Sequence, residues 1–351
     1  MTTSDRSGLR HPGVQAALAS AVLFGVSTPF AKVLLGDVSP WLLAGLLYCG
    51  SGLGLWAYRW VRRPARVVLR RGELAPLVGA VAVGGVLAPV LLLAGLSRMP
   101  ASGASLLLNA EGVFTALLAW VVFREHVDRR IVVGMLAIVA GAAVLSVPSG
   151  VRLGTPLPAL AVLGACLCWG LDNNLTRKVA LTDATWLAAV KGAVAGPVNL
   201  TLALLLGARL PGAATVAGAM ALGLVAYGLS LVLFIWALGA VGTARTGAYF
   251  AVAPFVGALV AIALGEAVTW PLVVAGALMG LGVWLHLTER HEHEHTHEAL
   301  EHTHWHTHDE HHRHEHAQPV PPGTWHSHPH VHEPMTHSHP HYPDAHHRHT
   351  H

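Results

Sequence analysis

Apolar residues in this chain neither alternate nor trace a single stripe at helical spacing. They come in continuous runs of about twenty, the length an α-helix needs to cross the hydrocarbon core of a bilayer. Five such runs fill the first half, at residues 13–35, 40–60, 74–96, 101–123 and 131–148. Five more fill the second, at residues 156–175, 184–206, 214–238, 243–265 and 271–287. The pattern predicts ten transmembrane helices followed by a polar tail.

The two halves repeat. At an offset of 141, residues 101–127 lie over residues 242–268, pairing Phe114 with Phe255, Leu118 with Leu259, Glu125 with Glu266 and Val127 with Val268. Val132, Val133 and Gly141 then fall on Val273, Val274 and Gly282. The opening of each half repeats at an offset of 145, where Phe24-Gly25 answers Trp169-Gly170, Lys32 answers Arg177 and Trp41 answers Trp186. The expected organisation is one five-helix repeat over 13–148, a second over 156–288, and a tail over 289–351.

Composition leaves the membrane as the only comfortable solvent: 53% of residues are hydrophobic, 12% are charged, and mean hydropathy is +0.50 despite the tail. The first run is long and no small-residue cleavage pattern follows it, so it reads as a retained helix. Cys49, Cys166 and Cys168 fall inside predicted spans, which argues for core cysteines rather than a disulfide framework.

Basic residues set the orientation, because short cytoplasmic loops keep Lys and Arg. The second connection holds Arg59, Arg62, Arg63, Arg66, Arg70 and Arg71, the fourth Arg124, Arg129 and Arg130, and the sixth Arg177 and Lys178. The odd-numbered connections show isolated residues such as Arg98, Arg152 and Arg209. Both termini are therefore expected in the cytoplasm of a bacterial-type inner membrane. With five spans per copy, the second copy must enter the bilayer from the opposite side. The predicted fold is an all-α polytopic membrane protein of two inverted five-helix repeats with a disordered C-terminal tail. Inverted duplication is typical of secondary transporters, whose site lies near the midplane between repeats.

Ten short helices in two copies, Phe24-Gly25 and Trp169-Gly170 near the start of each, and helices closing on Glu125 and Glu266 before a Gly-containing last helix resemble the drug/metabolite transporter superfamily, EamA type. The resemblance covers about residues 13–287. It implies carriage of small metabolites, amino acids or xenobiotics, often outward. One departure stands out: the second copy keeps the family's Pro-containing helix at Pro254, whereas the first has Val113 preceded by Asn109-Ala110-Glu111.

Charges inside spans are costly and usually face a cavity or a partner. Lys32, Glu111, Asp172 and Lys191 qualify. Glu111, with Asn109 close by, suits a protonatable coupling group or the ligand of a cationic substrate; the alternative is a buried ion pair with Lys32. Asp172, Asn173 and Asn174 form either a polar site wall or a helix end nearing cytoplasmic water, and Arg177 and Lys178 favour the helix end. Lys191 needs a counter-charge, for which Asp172 is a candidate. Cys168 and Asp172 share a helix face at i and i+4, so a metal cluster of Cys168, Asp172 and Glu111 is a further, weaker option. Pro29, Pro89, Pro197 and Pro254 are candidate kinks. Glu125, Glu266 and Pro254 are candidate gate residues, with a solvated loop salt bridge as the alternative for Glu125.

Beyond residue 288 the composition changes to histidine interleaved with acids, Pro and Thr, which supports no packed core. His-x-His spacing sets two imidazoles on one side of an extended segment, and neutral imidazole suits zinc, nickel, cobalt and copper(II). The candidate ligands are His291, His293, His295, His297, His302, His304, His306, His308, His311, His312, His314, His316, His326, His328, His330, His332, His337, His339 and His341. The tail has no cysteine, and its acids outnumber its arginines, which favours a bound cation.

The reading preferred on sequence is a secondary transporter for a small metabolite or drug-like solute whose cytoplasmic tail binds divalent metal. The alternative is a transition-metal transporter for nickel, cobalt or zinc that uses the tail as collector or sensor. No histidine constellation lies on a span, since His11, His126 and His286 sit at span edges, and this favours the first. A membrane-anchored metal store would make poor use of ten spans. No phosphate loop, nucleophile elbow or zincin motif occurs, so an enzyme is not expected and no cofactor is required. The expected partners are the lipid bilayer, a small-molecule substrate and divalent metal ions, and not nucleic acid; a homodimer stays open.

Overall fold

The computed structural model describes residues 11–36, 38–64, 67, 69, 71–123, 129–146, 156–176, 183–241 and 243–287, and in the tail 292–297, 300–306, 326–332 and 335–340. Two compact units result, Met1–Glu289 and Arg290–His351. Glu125 and His291, His308, His311, His312, His314, His316 and His341 lie outside the described residues.

Among the described residues the first unit has ten helical passes. In the first copy they are α1 (Pro12–Leu34), α2 (Pro40–Arg62), α3 (Leu74–Leu96), α4 in two pieces, α4a (Ala101–Leu107) and α4b (Ala110–Phe123), and α5 (Arg129–Ser146). In the second they are α6 (Leu157–Thr176), α7 (Ala184–Leu205), α8 (Ala213–Gly223, Leu224–Leu229 and Ser230–Val241), α9a (Thr243–Phe250), α9b (Ala253–Ala263) and α10 (Trp270–Leu287). Among the described residues, six helical stretches are long and apolar enough to cross a membrane unaided, in α1, α2, α3, α4, α7 and α8. The ends follow local chemistry. Pro12 and Pro40 begin helices where a missing N–H is harmless, and Ser39 and Asp183 accept the amide hydrogens of Leu42 and Trp186. Arg63 turns into the left-handed region to end α2, at φ 46°.

Glycines fix which helices meet. In the antiparallel α2–α7 pair, a side chain on Gly45 would strike the backbone of Leu200, and one on Gly52 the backbone of Gly192 and Ala193. The α5–α10 pair is built alike: Gly141 faces Met279 and Ala275, and its repeat mate Gly282 faces Gly134 and Ile138. Small residues let membrane helices approach closely enough for dispersion to hold them. The pairing of α1 with α9b is mirrored by that of α6 with α4b, and α1 with α8 by α6 with α3. The inverted duplication read from the sequence is thus an inverted duplication of contacts. Apolar side chains such as Val61, Leu205 and Trp270 stand more than 70% exposed on the outer surface, as lipid-facing groups do.

Among the described residues, four of these helices depart from regular geometry. α3 widens into a π-helix over Val81–Leu87 and α8 over Leu224–Leu229. α4 breaks between Leu107 and Ala110, and α9 between Phe250 and Ala253. Pro254 begins α9b at the break, and Pro89 follows the α3 widening, whereas Pro29 and Pro197 lie inside continuous helices.

Where the sequence predicts disorder, the described tail residues include four short strands, β1 (Glu292–His297), β2 (Leu300–His306), β3 (His326–His332) and β4 (Met335–Pro340). β1 pairs antiparallel with β4, and β2 with β3, as two separate two-stranded ribbons. The alternation of histidine with a second residue has the period of a strand, which accounts for extended structure without a packed core.

Candidate functional site

The break in α4 sets the centre. α4b starts in the middle of the helical layer, and its first turn carries Glu111. Such a discontinuous span exposes the positive end of a half-helix inside the membrane, and a carboxylate there is favourably placed. Glu111 Oε1 accepts a hydrogen bond of 2.8 Å from Asn173 Nδ2 on α6, which also reaches Thr115 Oγ1 at 3.3 Å. Asn174 Nδ2 donates to Gly170 O at 2.8 Å and to Thr115 O at 3.3 Å. Two side-chain amides therefore lace α6 to α4b.

Behind them lies a buried ion pair. Lys191 Nζ stands 2.6 Å from Asp172 Oδ1, and Thr176 Oγ1 bonds both groups, at 3.1 Å to the ammonium and 2.8 Å to the carboxylate. Both charged side chains are about nine-tenths buried. The other face of Asp172 rests on Gly84 in the widened turn of α3, a place no side chain could share. A π turn frees carbonyls from the helix ladder. Gly84 O takes hydrogen bonds from Tyr48 Oη and Trp169 Nε1, each at 3.1 Å, and Gly85 O takes one from Asn199 Nδ2 at 3.1 Å. The widening, the ion pair and three donors from α2, α6 and α7 form one assembly.

An aromatic wall adjoins it. Phe24 stacks edge-on to Trp169 and Tyr227, with centroids 6.1 and 5.9 Å apart, and lies 5.5 Å from Phe250; Tyr48 and Tyr227 are 5.2 Å apart. Trp169 and Asn173 share a face of α6 at i and i+4, so the wall and the Glu111 cluster are neighbours.

Several sequence expectations change here. Lys32 is not the partner of Glu111, because its ammonium donates to Leu96 O at 2.6 Å and faces Glu266. Asp172 and Asn174 are not a solvated helix end: both are buried, since α7 and α4b cover that side of α6. The Glu266 carboxylate accepts the amide hydrogens of Ala101 at 2.7 Å and Ser102 at 2.8 Å, clamping the second copy onto the start of α4a. Burial alone would raise its pKa, but the Ser102 and Ala101 hydrogen bonds and the nearby Lys32 charge outweigh it and hold the carboxyl below the ordinary carboxylate value. The Lys191–Asp172 pairing stands as expected. Asn109 lies at the α4 break, donating to Leu106 O at 3.0 Å, with its Oδ1 buried and without a hydrogen-bond partner. No group of three His, Cys, Asp or Glu gathers as a metal site among the described residues, so the Cys168, Asp172 and Glu111 cluster does not form.

Sequence reading missed Tyr48, Tyr227, Phe250 and Thr176, none of which carries a charge or motif. It also missed Arg59, which sits in the basic connection yet turns inward to Asp183 Oδ2 at 2.6 Å, tying the end of α2 to the start of α7.

The sequence profile of the EamA-like transporter family matches residues 11–147 and again 156–288. A protein of Methanothermobacter thermautotrophicus named as an uncharacterized transporter is 27% identical over 295 residues, covering 78% of this chain and 85% of its own length. A solved structure described only as a crystal structure of a protein superposes with a TM-score of 0.60 at 20% identity, over 77% of this chain and 95% of that one, a likeness of fold.

Proposed function

The chain belongs to the EamA-like transporter family, and on that premise we propose that it moves a small metabolite or drug-like solute across a bacterial-type inner membrane by alternating access. The observation that carries the proposal is the half-buried Glu111 at the broken midpoint of α4, hydrogen-bonded to Asn173 and flanked by the Asp172–Lys191 pair and the aromatic wall. Broken helices, freed carbonyls and a carboxylate that forms no ion pair among the described residues suit a midplane site between inverted repeats. Glu111 is the coupling or substrate-binding group; Asp172 and Lys191 neutralise each other and shape the wall; Asn109 and Asn173 orient the solute. Glu266, on the outer face by the Arg distribution, holds that side closed through α4a. Exchange of conformations between the copies opens it and closes the inner side, where Glu125 is the repeat mate. Both termini are cytoplasmic, and the tail binds divalent transition metal there.

Flux of radiolabelled amino acids, lipophilic dyes and nickel in everted vesicles tests the site. Glu111→Gln lowers solute flux by about tenfold or more, equivalent to about 1.4 kcal/mol in the barrier, with expression unchanged. Undiminished flux with the same pH dependence removes Glu111 from the mechanism. The histidine density of the tail keeps a second reading, a transition-metal transporter. It is favoured if nickel flux appears without solute flux and slows in a chain ending at Arg290.

A further inference from the structure

We infer that the solute is an organic ammonium ion with an aromatic or comparably apolar body and no carboxylate, an aryl amine rather than an amino acid. The inference rests on the reading that the Glu111 junction is the transport site, and adds which end of a solute each part of that junction takes.

The balance of hydrogen-bonding groups carries it. Around Glu111 the side-chain donors are already spent on the protein: Asn173 on Glu111 itself, Asn174 on Gly170 O, Tyr48 and Trp169 on Gly84 O, Lys191 and Thr176 on Asp172. Among the described residues, the buried side-chain atoms left without a hydrogen-bond partner are oxygens, including Asn109 Oδ1 at the α4 break and Asn199 Oδ1 on α7. Glu111 is half-buried and forms no ion pair among the described residues. The junction thus offers a negative charge and spare acceptors. An ammonium group matches that, because it brings donors and no acceptor, and its bond to a carboxylate is charge-assisted. A carboxylate on the solute would meet the opposite. It would be repelled by Glu111, and Lys191 cannot supply the missing cation, since Asp172 holds it at 2.6 Å with its side chain about nine-tenths buried. Stripping such a group of water without giving it donors is costly.

The aromatic wall sets the other end. Trp169 lies one helical turn before Asn173 on α6, and Phe24 packs edge-on to Trp169 at 6.1 Å between centroids. Phe114 stands one turn beyond Glu111 on α4b, beside Gly170, where an added Cβ would come within 3.1 Å of the Phe114 Cβ. The carboxylate is therefore set within a turn of aromatic rings on both helices. Phe24, Phe114 and Phe250 stay half-buried, so ring surface remains open to a solute. An apolar body gains there from burial and from ring contact, and a cation close to such rings is attracted by them.

The test uses the full chain in lipid nanodiscs for binding and in vesicles for flux, with radiolabelled probes that share one body: phenethylamine, phenylalanine and 3-phenylpropanoate. Phenethylamine should bind about tenfold or more tighter than phenylalanine, and 3-phenylpropanoate should show no saturable binding. Glu111→Gln should weaken phenethylamine binding by about tenfold or more, Glu111→Asp should keep most of it, and Phe24→Leu should weaken it with the carboxylate in place. Melting in detergent checks that each variant folds. Phenylalanine binding as tight as that of the amine, and lost in Glu111→Gln, overturns the amine class and leaves the transport site standing. Absence of saturable phenethylamine binding to the folded native chain overturns the class as well. Binding and flux that ignore Glu111 in folded variants remove the site and the amine class together.

Discussion

The two copies share a fold but not a chemistry. Asp172, Asn173, Thr176 and Lys191 of the second copy fall on Ser27, Thr28, Ala31 and Leu46 of the first at the offset of 145, while Glu111 and Asn109 fall on Val252 and Phe250 at the offset of 141. At the junction of α4b, α6 and α7 the interior therefore holds a carboxylate, an ion pair and amides. At the mirrored junction of α9b, α1 and α2 it holds Phe24, Phe250 and Ser27, whose hydroxyl merely returns to Phe24 O at 2.6 Å. Helices pack alike on both sides, so the charges are not needed to build the fold. On the proposed reading they serve transport.

The largest expected effect probes that asymmetry. Lys191→Ala leaves Asp172 buried and unpaired, and should lower stability by about 3–5 kcal/mol, read from denaturation in detergent. The double change Asp172→Leu with Lys191→Met, which makes this junction resemble its mate, should recover most of the loss while transport stays impaired. Recovery of both would make the pair structural only. A middle effect probes the symmetry: Gly141→Val and Gly282→Val each overpack the α5–α10 crossing and should destabilise similarly, by about 1–3 kcal/mol. A large inequality would mean that the copies do not share this interface.

The smallest effect concerns the Glu266 clamp. Glu266→Gln should weaken the cap on α4a by about 1 kcal/mol at neutral pH. The folded carboxyl ionises below its ordinary range, so its contribution is fully present above about pH 4.3 and is lost as pH falls through the lowered folded value. The wild-type advantage over Glu266→Gln should therefore vanish on acidification, and an advantage that grows in acid contradicts the clamp.

Spans, duplication and the need of Lys191 for a counter-charge were legible because each leaves a mark in the order of residues: a run length, an offset, a charge in an apolar run. The true setting of Lys32 was not. Its partners, Leu96 O and Glu266, come from α3 and from the loop after α9b, and nothing local to residue 32 names them. The buried state of Asp172 was hidden by Arg177 and Lys178, whose nearness in sequence suggested water while packing against α7 decided otherwise. The aromatic wall escaped for another reason: Phe24, Trp169 and Tyr227 look like ordinary filler in a chain this greasy, and only three-dimensional convergence sets them apart.

The widened turns of α3 and α8 also record history. They begin at Val81 and Leu224, 143 positions apart, inside the 141 to 145 that relates the copies elsewhere, and Gly85 in one falls on Gly228 in the other. A π turn is in effect one extra residue lodged in an α-helix, a change that is hard to accommodate once neighbours are packed. Two separate events at the same place in both halves are a less economical ancestry than one. One duplication of a five-helix unit that already held the extra residue accounts for both turns, and Glu111 and Lys191, present in one half each, then need no new helix geometry around them.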